Sequence, residues 1–269
     1  MSVSKQSSSP SSSLSLASAS DSTLSPASPS ASALSLQSAS GPLPFRMTND
    51  YLFKALLQEN ESVLKAIVCA LLHLDPGNVG ELEITNPIIL GDRVEDKDVI
   101  LDVNVRFSDG ASLDLEMQVA SQEYWRSRSL YYAFRNQESL KTGEEYTRLR
   151  PTIHIGFLDF QLFEDRPIFY DTCKLMSVHD HHLYTDLISV GYVDLTNIHL
   201  ATEEDKLYNI DKWAQLFKCK TWEEMKMLAT KNANIEEAAK TICTITEDER
   251  IRQTSTAAGL PRRSSGRGG

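Results

Sequence analysis

Between Asn49 and Leu74 apolar residues recur every three to four positions: Leu52, Phe53, Leu56 and Leu57, then Val63, Leu64, Ile67, Val68, Leu71 and Leu72. That spacing keeps one face of a helix apolar, so the first predicted element is helical, with a break at Gln58 to Asn60. Asp75-Pro76-Gly77 ends it, because proline cannot continue the hydrogen-bond ladder and glycine favours a turn. Extended segments follow at Leu82 to Leu90, Val99 to Phe107 and Leu113 to Val119. A helical stretch runs from Gln122 to about Thr142 and stops at Gly143. Pro151 to Phe160 is apolar and β-rich, and Ile168 to Val193 holds further short extended pieces. Glu203 to Phe217, Trp222 to Ala229 and Ile235 to Ile245 read as helices. The order of helix, three strands, helix, strand and helical end predicts an α/β fold with a mixed central sheet flanked by helices.

Composition changes this picture at the two ends. Serine fills 19 of the first 40 positions, and only Lys5 and Asp21 there are charged. Such a stretch buries too little side-chain surface to offset the entropy of ordering it, so residues 1–45 are expected to be a disordered tail. No arginine precedes Arg46, which argues against a transit peptide. Pro261, Arg262, Arg263 and Arg267 lie among Gly and Ser, so residues 251–269 are expected to be a flexible basic tail. Between the tails, residues 46–200 are expected to form the main domain and 201–250 a helical extension.

Charge and cysteine usage exclude some classes. The formal charge of the chain is −10, so any nucleic-acid contact needs a local basic face. Cys69, Cys173, Cys219 and Cys243 lack both the paired spacing of a zinc site and the density of a disulfide scaffold. An intracellular protein, cytoplasmic or nuclear, is expected. No apolar run reaches the roughly 20 residues of a membrane helix, so no membrane partner is expected.

The most informative segment surrounds Ser108-Asp109-Gly110. Glycine at the third position of a three-residue hairpin loop takes the left-handed conformation without steric cost. That loop pairs Arg106 with Ser112, Val105 with Leu113, Asn104 with Asp114, Val103 with Leu115, Asp102 with Glu116 and Leu101 with Met117. Apolar meets apolar and polar meets polar, whereas a loop one residue shorter would mix them at every pair. Asp102 and Glu116 are then like charges on opposed positions, which repel unless a cation lies between them. With Asp114, Asn104 and Gln118 on the same face, the strip is rich in the hard oxygen ligands that suit Mg²⁺. An amphipathic hairpin with a solvated polar face has the same pattern, so the hairpin alone leaves both readings open.

An Asp, a hairpin and then Glu-x-Gln resemble the PD-(D/E)XK nuclease core, and within it the recombination-promoting nuclease and transposase family. The resemblance runs over roughly residues 47 to 200. It is carried by Asn49-Asp50-Tyr51-Leu52-Phe53-Lys54, Ile100-Leu101-Asp102-Val103, Leu115-Glu116-Met117-Gln118, Arg126 with Tyr131-Tyr132, Gly143-Glu144-Glu145-Tyr146 and Leu149-Arg150-Pro151-Thr152-Ile153-His154-Ile155, in that order. It implies a restriction-endonuclease-like core and a divalent-metal phosphodiesterase acting on DNA, a recombination-promoting or transposase-related endonuclease. Asp102 and Glu116 would hold Mg²⁺ or Mn²⁺, and a homodimer would serve to cut both strands. The larger family usually has lysine where Gln118 stands; glutamine orients a water or a phosphate oxygen but supplies no charge. The substrate-side cation would then be Lys54 or Arg126. The alternative is a catalytically weak or inactive relative that binds DNA or protein.

Two other features stand out. The stretch from Gln122 to Arg150 carries Arg126, Arg128, Arg135, Lys141, Arg148 and Arg150, with Tyr124, Trp125, Tyr131, Tyr132 and Phe134 among them. Basic groups and stacking rings suit a nucleic-acid surface, but the three-to-four spacing predicts that most of the rings are core. Asp50 reads as a helix-start residue that favours the dipole. His179-Asp180-His181-His182 reads as a polar loop, since adjacent side chains diverge and no fourth ligand lies nearby.

Overall fold

The computed structural model describes residues 35–86, 102–119, 124–137 and 142–258. Two helices open the fold, α1 (Asp50–Glu59) and α2 (Glu61–Leu72). The break falls at Asn60, whose side chain accepts from Val63 N–H and so caps α2, just as Asn49 caps α1 through Leu52 N–H. Strands β1 (Leu82–Ile84), β2 (Val103–Phe107) and β3 (Ser112–Gln118) follow, then helix α3 (Trp125–Arg135) and strands β4 (Thr152–Leu158), β5 (Tyr170–Met176) and β6 (Leu183–Asp194). Helices α4 (Glu203–Leu207), α5 (Ile210–Lys218), α6 (Trp222–Ala229) and α7 (Ala233–Ala258) complete the described chain. No described helix is long and apolar enough to cross a membrane.

The strands form one mixed sheet in the order β1-β2-β3-β4-β6-β5. β1, β2 and β3 are antiparallel, β4 is parallel to both β3 and β6, and β5 closes the far edge antiparallel to β6. The β2–β3 register is the expected one: Val103 faces Leu115, Asn104 faces Asp114, Val105 faces Leu113 and Arg106 faces Ser112. Gly110 sits at φ +90°, and its N–H donates to Phe107 O at 3.0 Å. A Cβ there would also lie 3.1 Å from Arg150 Cγ. The ladder ends at Val103, so Asp102 stands one residue beyond it. The expected pair of Leu101, the continuation of the first strand to Leu90 and the strand start at Val99 lie outside the described residues.

The two faces of the sheet are covered differently. Val103, Val105, Leu113, Leu115, Met117, Ile155, Phe157 and Val193 join α1, α2, α5, α6 and α7 in one large apolar core. Phe53 of α1 is its aromatic hub, meeting Phe157 and Phe217 at centroid distances of 5.6 and 5.4 Å. The opposite face is covered by α3, which presents Trp125, Ser129 and Ala133 at steps of four. A small core of Trp125, Ala133, Leu158, Val190 and Tyr192 lies there, with the polar residues of β3 and β4 beside it.

Several expected boundaries are corrected. Helix α3 ends at Arg135, short of Thr142: after its C-cap Asn136 the ladder tightens, Gln137 N–H closing on Phe134 O at 3.3 Å, and the Asn136 side chain turns to Asn104. The helix expected over Glu203 to Phe217 is two, divided at Asn209, which takes φ +62°. α7 continues to Ala258, past the expected end at Ile245 and into the expected basic tail. Residues 35–45, assigned to the Ser-rich tail, are ordered against α6. Leu43 N–H donates to Lys220 O at 2.9 Å, Trp222 N–H donates to Gly41 O at 3.0 Å, and Ala39 is buried. The rest of that tail, 1–34, and residues 259–269 lie outside the described residues. Helices 201–250 share the core with α1 and α2, so they complete the domain.

Candidate metal and catalytic site

The polar face of the β2–β3 hairpin is buried at its centre, on β3. Asp114 is 2% exposed and Glu116 5%, although both side chains point away from the large core. Alternation on β3 places Asp114, Glu116 and Gln118 on one face, and α3 covers that face. The parallel pairing to β4 adds His154 opposite Asp114 and Gly156 opposite Glu116. Gly156 makes room for the indole of Trp125, since a Cβ there would lie 2.6 Å from Trp125 Cζ2.

A connected set of charged groups results. His154 is fully buried; its Nδ1 lies 2.7 Å from Asp114 Oδ2, and its Nε2 lies 3.6 Å from Glu116 Oε2. Arg128 of α3 places Nη2 2.6 Å from Glu116 Oε1, and its guanidinium stands 5.4 Å over the Tyr132 ring. Tyr132 also stacks on His154 at a centroid distance of 6.4 Å. At the end of β2, Asn104 Nδ2 donates to Asp102 Oδ2 at 3.0 Å, and Asn136 Nδ2 donates to Asn104 Oδ1 at 3.0 Å. Lys54 of α1 is buried and reaches the same place from the other core, donating from Nζ to Asp102 O at 2.8 Å.

Burial sets the electrostatics. It raises the carboxyl pKa of Glu116, against the pull of Arg128 and His154 and with the push of Asp114 and Asp102. The Asp114 carboxyl is raised for the same first reason, opposed by His154 and reinforced by Asp102. Burial lowers the Lys54 ammonium, while Asp102 and Asp114 hold it up. Three acids of like charge, Asp102, Asp114 and Glu116, therefore share a small space with Lys54 and Arg128.

Does this set fit a divalent cation? Asp102 Oδ1, Asp114 Oδ1, Glu116 Oε2 and His154 Nε2 are each buried and make no hydrogen bond within the protein. Buried polar atoms without partners are costly, and these belong to four neighbouring residues on one face. The described residues hold no group of three His, Cys, Asp or Glu already gathered as a ligand cage. Mg²⁺ is ordinarily held by one or two carboxylates together with waters and substrate oxygens. The residues therefore fit a divalent ion carried on a two-donor edge.

The structure brings Asp102, Glu116 and Lys54 together, with Gln118 at the end of the same strand. It places Arg126 elsewhere, 5.7 Å over the Phe163 ring. Arg128, two residues on, is the arginine at the carboxylates. His154 and Arg128 were present in the sequence only as parts of longer strings; a lone polar residue inside the apolar run Thr152–Leu158 was the signal for the first. Asp50 is the first residue of α1, and Arg128 opposes the upward shift that burial gives its carboxyl. Tyr124, Tyr131 and Phe134 are exposed, contrary to the expectation of core rings, because Trp125, Ser129 and Ala133 take the sheet-facing stripe. The His179–His182 segment lies in the exposed turn between β5 and β6.

Comparison with curated proteins and with solved structures gives no match. A family model described as PD-(D/E)XK nuclease family transposase matches residues 47–258, which span every helix and strand above, and the chain belongs to that family.

Proposed function

We propose that this protein is a divalent-metal-dependent DNA endonuclease that hydrolyses phosphodiester bonds in a recombination-promoting or transposase-related role. The observation that carries the reading is the set of partnerless buried oxygens on Asp102 and Glu116, beside Asp114, in a member of a nuclease family. Asp102 and Glu116 would hold the ion, Mg²⁺ or Mn²⁺. Bound there, a divalent cation supplies charge to the scissile phosphate and acidifies water at neutral pH.

The other residues bind, orient and balance charge. Lys54 is the cation nearest Asp102 and takes the part that lysine plays at the position of Gln118 in the wider family. Its charge is set against oxygens that become more negative in the transition state. Gln118 orients a water or a phosphate oxygen by hydrogen bonding. Arg126, with the exposed rings Tyr124 and Tyr131, offers a DNA backbone contact on α3. Two copies of the chain would supply the two sites that cutting both strands requires.

One observation favours a weaker or inactive binding module: the Arg128 guanidinium already neutralises Glu116 at 2.6 Å. Both readings meet one experiment. Supercoiled plasmid is incubated with the protein in Mg²⁺, Mn²⁺ or chelator, alongside Asp102→Ala and Glu116→Ala. Metal-dependent nicking that both substitutions abolish is expected. Absence of cleavage, or equal cleavage by all three proteins, would sink the enzyme reading and leave the binding module.

A further inference from the structure

His154 has no place in the chemistry above, yet it is the most enclosed polar side chain of the site. It is fully buried, with Nδ1 2.7 Å from Asp114 Oδ2 and Nε2 without a hydrogen-bond partner. Nδ1 is taken up by Asp114, which leaves Nε2 as the free nitrogen of the ring. Nε2 lies 3.6 Å from Glu116 Oε2, the partnerless oxygen of the same carboxylate whose other oxygen meets Arg128. One ion with bonds of about 2.1 Å can span the gap. A histidine that ligates a metal through one nitrogen ordinarily gives its other N–H to a carboxylate, which fixes the tautomer and the ring plane. Asp114 holds that position, and Tyr132 stacks on the ring to keep it in plane.

We propose that His154 Nε2 is a metal donor, paired with Glu116 Oε2, so that this site takes a first-row divalent transition ion in preference to Mg²⁺. A nitrogen donor raises affinity along the transition series and adds little for Mg²⁺, which keeps oxygen ligands. Asp114 is then the positioning residue of His154, a role that accounts for a carboxylate buried beneath the sheet's covering helix. The inference rests on the metal-dependent reading above and specifies its ligand set and ion class.

The test uses the untagged full chain with Mn²⁺ as probe. Pulsed EPR reads the nuclear modulation of a directly bound imidazole nitrogen, and calorimetry gives the affinities for Mn²⁺ and Mg²⁺. The expected result is tighter binding of Mn²⁺ than of Mg²⁺, with a nitrogen modulation that His154→Gln removes. That substitution should also weaken Mn²⁺ binding about 10- to 100-fold while leaving Mg²⁺ binding little changed. A variant combining His73→Gln, His179→Gln, His181→Gln, His182→Gln and His199→Gln leaves His154 as the one histidine of the sequence and should keep the modulation; it decides the matter where His154→Gln does not fold. Mn²⁺ bound without nitrogen modulation, or modulation that survives His154→Gln or vanishes in the five-site variant, overturns the inference and leaves the proposed function standing. Failure to bind either ion overturns both.

Discussion

Arg128 Nη2 lies 2.6 Å from Glu116 Oε1, and the two side chains differ sharply in exposure: the arginine is about a third open to solvent while the glutamate is buried. The ion pair therefore joins a fixed carboxylate to a cation that water can reach. Removing one partner of a fully buried pair costs about 3–5 kcal/mol, and partial exposure reduces this. For Arg128→Ala we expect a loss of about 1–2 kcal/mol in metal-free protein, measured by urea unfolding. A bound cation would replace the lost charge, so thermal stabilisation by Mn²⁺ should be larger in Arg128→Ala than in the wild type. An equal or smaller metal effect in the variant would show that Glu116 is not where the ion acts.

The contact between Gly156 and Trp125 gives a second prediction. β4 can pass under α3 only because position 156 has no side chain, the indole lying where a Cβ would project. Overpacking of this kind costs about 1–3 kcal/mol. Gly156→Ala should lower the urea midpoint and shift tryptophan emission. Combined with Trp125→Leu, which vacates the space, the alanine should cost much less than it does alone. Additive losses would mean that the close approach is not what the glycine serves.

What the sequence disclosed and what it withheld follow from the range of the forces involved. Local order was legible: Asn60 breaks the first helix within the expected stretch, and Gly110 sets a register that Val105–Leu113 and Asn104–Asp114 then follow. The candidate acids Asp102 and Glu116 came out of that register. Non-local order was not legible. That β4 lies beside β3, which brings His154 to Asp114 and Glu116, depends on strand order, which alternation does not encode. Nor does periodicity fix the rotation of α3 about its axis. Arg126 and Arg128 point to different sides of one helix, and only packing of Trp125, Ser129 and Ala133 decides which meets the acids. The same rotation exposes Tyr131 and Phe134, whose spacing alone reads as core.

The cysteines allow a check on the larger core. Cys69, Cys219 and Cys243 are buried and Cys173 is exposed on edge strand β5. Burial pushes the Cys219 thiol up to about 12, with Glu224 adding to the shift. A thiol reacts as its thiolate, and at pH 8 this group lies far below its pKa and stays protonated. Burial and Asp171 also raise Cys173, so it should react slowly. Titration of the native protein at pH 8 with an aromatic disulfide reagent should therefore yield one thiol per chain, and all four in denaturant. Prompt reaction of more than one would contradict the packing of α5 and α7 against the sheet.

Lys54 offers a test in which two measured quantities should move in opposite directions. Its ammonium is buried, donates to Asp102 O at 2.8 Å, and feels both Asp102 and Asp114. Lys54→Met keeps most of the volume and removes the charge. Without that cation the acids repel one another more strongly, and a divalent ion that relieves the repulsion should bind more tightly. Transition-state charge, in contrast, loses its preorganised partner, and removal of one such group typically costs about 100- to 1,000-fold in rate. We therefore expect Lys54→Met to nick plasmid at least about 100-fold more slowly while its Mn²⁺ affinity, read by calorimetry, rises. Lys54→Arg should recover part of the rate, since it restores the charge with a different shape. A purely structural lysine would lower stability, metal affinity and rate together, and that outcome would remove Lys54 from the reaction.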